Sequence, residues 1–237
     1  AQKNGIKLEI FGTEMETDIE RQTGIIDNLV SRGYGAIVIA PIDSRKLAPV
    51  LKKAVDRGIV VVNIDNPIDK DVQVQQGLAI PFVGSDNAKG GALVGEYLRR
   101  QLRGKGKIIV IEGIRGAQNG ELRKQGFLQA ATAGGGLELV DSVSGNWHAE
   151  DAFAQMSGLL DKHGAVDAVF CANDQMALGV LQALSARNLT GKVLVGGYDN
   201  IEAARHELRN GRMHATVEQH PESPGYHGGA SAHPPLQ

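Results

Sequence analysis

The sequence predicts an α/β protein whose parallel sheets are covered by helices on both faces. Three observations carry that prediction. Short, predominantly apolar runs such as Ala36–Ala40 and Ile59–Ile64 alternate with amphipathic stretches along the whole chain. The runs lack the in/out alternation of a half-solvated strand, as expected for strands buried on both sides. The amphipathic stretches stop at helix-ending pairs, Arg32-Gly33, Arg57-Gly58 and Asn210-Gly211.

Taken in order, Ile6–Phe11 reads as a strand, Asp18–Arg32 as a helix, Ala36–Ala40 as a strand and Ser44–Arg57 as a helix before the strand Ile59–Ile64. Further strands are expected near Phe82–Gly84, Lys107–Ile111, Leu137–Val143, Ala168–Cys171, Lys192–Gly197 and Met213–Val217. Helices are expected near Asn87–Leu102, Glu121–Ala133, His148–His163, Asp174–Arg187 and Ile201–Asn210. The charged, glycine-bearing string Arg99–Lys107 fits a crossover between two lobes, or equally a solvated helix end. Lys3-Asn4-Gly5 reads as the close of a helix that the chain does not contain. Ser223–Gln237, rich in Gly, Pro, Ser and His and without a period, reads as a disordered tail.

Composition removes several function classes. The chain is 42% hydrophobic and 22% charged, with a formal net charge of -2, so it has material for a core and no basic footprint for nucleic acid. One cysteine, Cys171, excludes an internal disulfide. No apolar run is long enough to span a membrane as a helix. Ala1–Gly5 lacks the basic start and apolar stretch of a signal peptide, which leaves a mature, trimmed or fragmentary chain. Phosphate-loop, nucleophile-elbow and zinc-protease motifs are missing, and no nucleophile–base pair or cofactor loop stands out, so an α/β enzyme is the weakest reading. The late histidines have no clustered ligand partners, so neither a metal nor a cofactor is expected.

Polar residues recur just past strand ends, where open α/β sheets bind ligands. Asp65-Asn66 follows Ile59–Ile64, Asn173 follows Ala168–Cys171, Asp199 follows Lys192–Gly197, and Gln219 follows Met213–Val217. Trp147, the sole tryptophan, follows the strand ending near Val143, and Arg123 opens the helix after Gly113–Gly120. Each Asp or Asn alone fits helix capping; Trp147 alone fits a core residue. Their repetition in successive units points to a polar pocket. Carboxylates, amides and a guanidinium suit neighbouring hydroxyls, and an indole face suits the C–H side of a sugar ring.

The strings Ala36–Asp43 (AIVIAPID), Val61–Asp65 (VVNID), Val83–Gly91 (VGSDNAKGG), Glu112–Phe127, Val169–Gly179 (VFCANDQMALG), Val195–Asp199 (VGGYD) and Ala215–Pro221 (ATVEQHP) resemble, in order and spacing, the ribose/galactose branch of the periplasmic sugar-binding family, whose lobes LacI-type repressors also use. The resemblance runs from about residue 1 to 222. It implies two doubly wound parallel-sheet lobes, 1–103 and 104–222, followed by the 223–237 tail, with the first lobe incomplete because the family's opening strand and helix and its closing return to the first lobe have no counterpart. It assigns ligand contacts to Asp65, Asn66, Arg123, Trp147, Asn173, Asp199 and Gln219. Asn66 stands where ribose-type members carry Arg, which counts against ribose. The implied function is reversible binding of a monosaccharide or polyol for an ABC-type transporter, by a periplasmic or surface-anchored monomer whose partners are the sugar and a membrane permease, with no nucleic acid and no catalysis. The alternative is the effector domain of a LacI-type repressor.

Overall fold

The apolar runs become parallel strands and the amphipathic stretches become helices in the computed structural model, which describes residues 7–220 and 231–233. The chain divides into two compact units, Ala1–Val83 and Gly84–Gln237.

In the first unit, α1 (Ile19–Ser31), β1 (Ala36–Ile39), α2 (Ala48–Asp56), β2 (Val60–Ile64), α3 (Lys70–Gln76) and β3 (Phe82–Val83) follow one another. The sheet has the order β1-β2-β3, and both pairings are parallel. Ile37, Ile39 and Val61 point into a core with Ile26 and Val30 of α1 and Leu51 and Ala54 of α2. On the other face Val38 and Val60 are 62% and 60% exposed. The strand expected at Ile6–Phe11 is not formed over its described residues: Lys7–Phe11 have no strand structure, and Ile10 is 88% exposed. An apolar run becomes a strand only when a ladder and a covering layer receive it. Helix α3 was invisible to periodicity because none of its residues is buried. Its caps are its only sequence signal. The Asp69 side chain accepts from the Val72 N–H at 3.0 Å, and Gly77 ends the helix at φ 62°.

The second unit contains α4 (Asn87–Gln101), β4 (Lys107–Glu112), α5 (Gln118–Ala131), β5 (Glu138–Ser144), α6 (Ala149–His163), β6 (Ala168–Cys171), α7 (Asp174–Ala186), β7 (Leu194–Gly196), α8 (Glu202–Arg209), β8 (Thr216–Glu218) and β9 (Ser231–His233). Its sheet runs β5-β4-β6-β7, all parallel, and β8 joins beside β7 through a parallel bridge between Gly196 and Ala215. Alternate residues of the central strands feed two cores. Ile109, Ile111, Val169 and Cys171 pack with α6 and α7, while Ile108, Val110, Ala168 and Phe170 pack with α4 and α5. Both sets are fully buried, which explains why β4 and β6 read as unbroken apolar runs.

The division expected at Leu102–Gly104 falls instead after Val83, and α4 belongs to the second unit. The reason is glycine in α4 and α5. A Cβ on Gly91 would lie 2.0 Å from the Arg123 carbonyl oxygen, and one on Gly126 would lie 1.8 Å from that of Ala88. The two helices therefore touch backbone to backbone. The charged string after α4 is a helix end, with Arg103 at φ 53° and Gly104 at φ 74°. The expected 223–237 tail lies outside the described residues except for Ser231–His233, which form β9, antiparallel to β8.

Candidate functional site

In the second sheet the strand order reverses direction at β4: β5 lies on one side and β6, β7 and β8 follow on the other. The helices that follow β4 and β6 pack on opposite faces of the sheet, so the loops leaving those carboxyl ends diverge at the switch point, the place where open α/β sheets bind ligands. Arg123 reaches that point from the second turn of α5, not from its start as expected, with 4% of its side chain exposed.

Its guanidinium is held on several sides. Nε donates to Asn87 Oδ1 at 2.8 Å, and Nη1 donates to the Ala172 carbonyl, just past β6, at 2.8 Å. The guanidinium carbon lies 3.9 Å from the centre of the Tyr198 ring and 5.7 Å from that of Trp147. Nη1 is 3.4 Å from Asp199 Oδ1. A buried guanidinium needs such partners, because an uncompensated buried charge costs several kcal/mol.

Asp199 follows β7 and stands at φ 105°, with 28% of its side chain exposed. Gln219, after β8, donates from Nε2 to Asp199 Oδ1 and accepts from the Ser85 hydroxyl at 2.9 Å. Asn173 serves two ends: Oδ1 caps α7 through the Met176 N–H at 2.9 Å, and Nδ2 donates to the Trp147 carbonyl at 3.3 Å. Capping and site geometry thus coincide in one side chain. Trp147 stands at φ 67° with its indole laid against glycines: a Cβ on Gly113 would meet the ring at 2.1 Å, and one on Gly120 at 2.9 Å. Arg123, Trp147, Asn173, Asp199 and Gln219 are therefore linked by direct contacts within one unit, with carboxylate, amide and guanidinium groups beside an aromatic face.

Asp65 and Asn66 lie in the other unit, past β2. Asp65 is exposed at φ 59°. Asn66 is buried: Nδ2 donates to the Pro41 carbonyl at 2.6 Å and Oδ1 accepts from the Ser44 hydroxyl at 3.1 Å, tying the turn after β2 to the turn after β1. These two bonds anchor Asn66 to the first unit's own backbone and side chains.

Asn87, Tyr198 and Ser85, which complete the contacts in the second unit, were not singled out from sequence. Asn87 follows a strand just as Asn173 does, and that placement was the available signal. Tyr198 carried none, since a fully buried Tyr reads as core. Among the described residues no group of three His, Cys, Asp or Glu is placed to hold a metal ion.

The chain is similar to known proteins in sequence and in fold. A family model described as periplasmic binding protein domain matches residues 1–233. The D-ribose/D-allose-binding protein of Pseudomonas aeruginosa is 44% identical over 88% of this chain, and the D-allose-binding periplasmic protein of Escherichia coli is 34% identical over 92%. The chain spans 65% of the length of the first and 70% of the second. A solute-binding protein of an ABC transporter from Burkholderia multivorans superposes with a TM-score of 0.86 at 41% identity, covering 92% of this chain and 78% of that one. Another from Actinobacillus succinogenes, holding D-allose, gives 0.86 at 34% identity over 93% of this chain and 77% of that one. By sequence and by fold, the chain belongs to the periplasmic binding protein domain family.

Proposed function

We propose that this chain binds a monosaccharide or related polyol reversibly, as the substrate-binding component of an ABC-type sugar importer, and that it carries out no chemistry on its ligand. The observation that carries the reading is the buried Arg123 beside the partly exposed Asp199, with Trp147 at the same strand ends. Asp199 accepts from vicinal hydroxyls, Arg123 and the amides of Asn173 and Gln219 complete the polar set, and the indole covers apolar C–H groups. Asp65, exposed past β2 of the first unit, is a further candidate for ligand contact.

The names of the relatives support a transport role over the effector domain of a repressor. D-allose is the first ligand to test, because it is named for two relatives and is bound in a third. A membrane permease is the macromolecular partner, and the protein works as a monomer in the periplasm or anchored at the cell surface. Calorimetric titration with D-allose, D-ribose, D-galactose, D-xylose and myo-inositol tests the reading. Saturable binding of at least one, with the ligand recovered unchanged, is expected. A folded chain that binds none of them, or that converts one, overturns it.

A further inference from the structure

Asp199 occupies an unusual backbone position. It and Asn200 stand at φ 105° and φ 53°, consecutive non-glycine residues in the left-handed half of conformational space. Such positions cost energy and persist only where the surroundings over-determine them. Here those surroundings trace to Asp174 and Thr216, both fully buried and neither assigned to the sugar.

Asp174 grips the turn at both ends. Its backbone N–H donates to the Tyr198 carbonyl at 2.8 Å, and its Oδ2 accepts from the Ile201 N–H at 3.0 Å. The Thr216 hydroxyl donates to the Asp174 carboxyl, 2.8 and 2.9 Å from its two oxygens, and accepts from the Asn200 N–H at 3.2 Å. The Asp199 N–H donates to the Val217 carbonyl at 2.8 Å. Each backbone N–H from Asp199 to Ile201 therefore has a partner on β8 or at the start of α7. Gly197 makes room for this: a Cβ there would lie 2.2 Å from Asp174 Oδ1.

We propose that Asp174 and Thr216 are positioning residues that hold the 198–201 turn in its left-handed conformation and so aim the Asp199 carboxylate at Arg123 and at the ligand. The ligand half of this inference rests on the sugar-binding reading above. It acts through Asp199, since neither residue is needed to touch sugar.

The test compares Thr216→Val, which keeps the side-chain shape and loses the hydroxyl, with Thr216→Ser, which restores it, and with Asp174→Ala. Two quantities are read on the full chain: amide exchange at Asp199 and Ile201 without ligand, and D-allose affinity by calorimetry. Neither amide bonds Thr216 directly, so both report the turn. In Thr216→Val both amides should exchange about tenfold faster or more, while Val110 and Val169 in the central strands stay unchanged. D-allose affinity should fall about tenfold or more, and Thr216→Ser should recover both. Asp174→Ala should match or exceed Thr216→Val; if it does not fold, Thr216→Val decides alone. Unchanged exchange at Asp199 and Ile201 overturns the proposal, as does faster exchange with undiminished affinity. If the unaltered chain binds no sugar, the sugar-binding reading fails, and the exchange pattern alone upholds or overturns the positioning role.

Discussion

Replacing Asp199 by Asn keeps the side-chain volume and removes its charge. Asp199 Oδ1 lies 3.4 Å from Arg123 Nη1, and unit charges at that distance attract by about 5 kcal/mol at an effective dielectric constant of about 20. The net contribution is smaller. With 28% of the Asp199 side chain exposed, water screens the pair, and the cost of desolvating Arg123 offsets more, leaving about 1–2 kcal/mol for stability. Ligand binding loses more. A carboxylate accepting from two hydroxyls makes two charge-assisted bonds of about 1.5–3 kcal/mol each. The amide keeps one acceptor and turns a donor toward the other hydroxyl. A loss of about 2–4 kcal/mol follows, about 30- to 1,000-fold in affinity. Urea denaturation and D-allose calorimetry on the same preparation separate the two effects. Affinity within about threefold of the unaltered chain would refute the assignment of Asp199. So would a loss that the unfolded fraction accounts for.

Gly113→Ala should displace Trp147, since the added methyl would lie 2.1 Å from the indole; the emission of this sole tryptophan should shift and D-allose affinity should fall about tenfold or more, whereas unchanged emission and affinity would mean the ring has room to move. Burial raises the Asp174 carboxyl to about 8, against the opposing pull of its Thr216 hydrogen bond. The folded chain therefore keeps a proton that the unfolded chain releases near pH 4, so this group's stability contribution is full below about pH 4 and is lost as pH rises through about 8, at up to about 1.4 kcal/mol per unit. Asp174→Asn should flatten that slope in urea denaturation across this range, and parallel curves would contradict it. Amides of β1, which pairs only with β2 among the described residues, should exchange faster than those of β7, and equal protection would argue that β1 has a second neighbour.

What was legible in the sequence was what burial imposes. Ala168–Cys171 was read to the residue because both its faces are packed, and periodicity located the core helices to within a few positions. Ile6–Phe11 looked like a strand because composition reports apolarity and not whether a ladder is there to join. Asn87–Leu102 reads as a helix, but nothing in its periodicity shows that its glycines place it against α5 and move the unit boundary to Val83. Placement past strand ends singled out Arg123, Trp147, Asn173, Asp199 and Gln219, which the structure brings into contact because the topology gathers those ends. It could not distinguish exposed Asp65 from buried Asn66, one residue apart, since a turn at φ 59° decides which side chain faces inward. Asn87, Thr216 and Asp174 act through bonds to other site residues, and spacing along the chain does not encode such bonds.

A crystal structure of the chain grown with D-allose decides whether the carboxyl ends of β4, β6, β7 and β8 form a sugar site. The sugar should lie against the Trp147 indole, with hydroxyl oxygens within about 2.6–3.2 Å of Asp199 and Arg123. A sugar bound elsewhere on the chain, with Asp199 and Arg123 making no contact to it, would rule that site out.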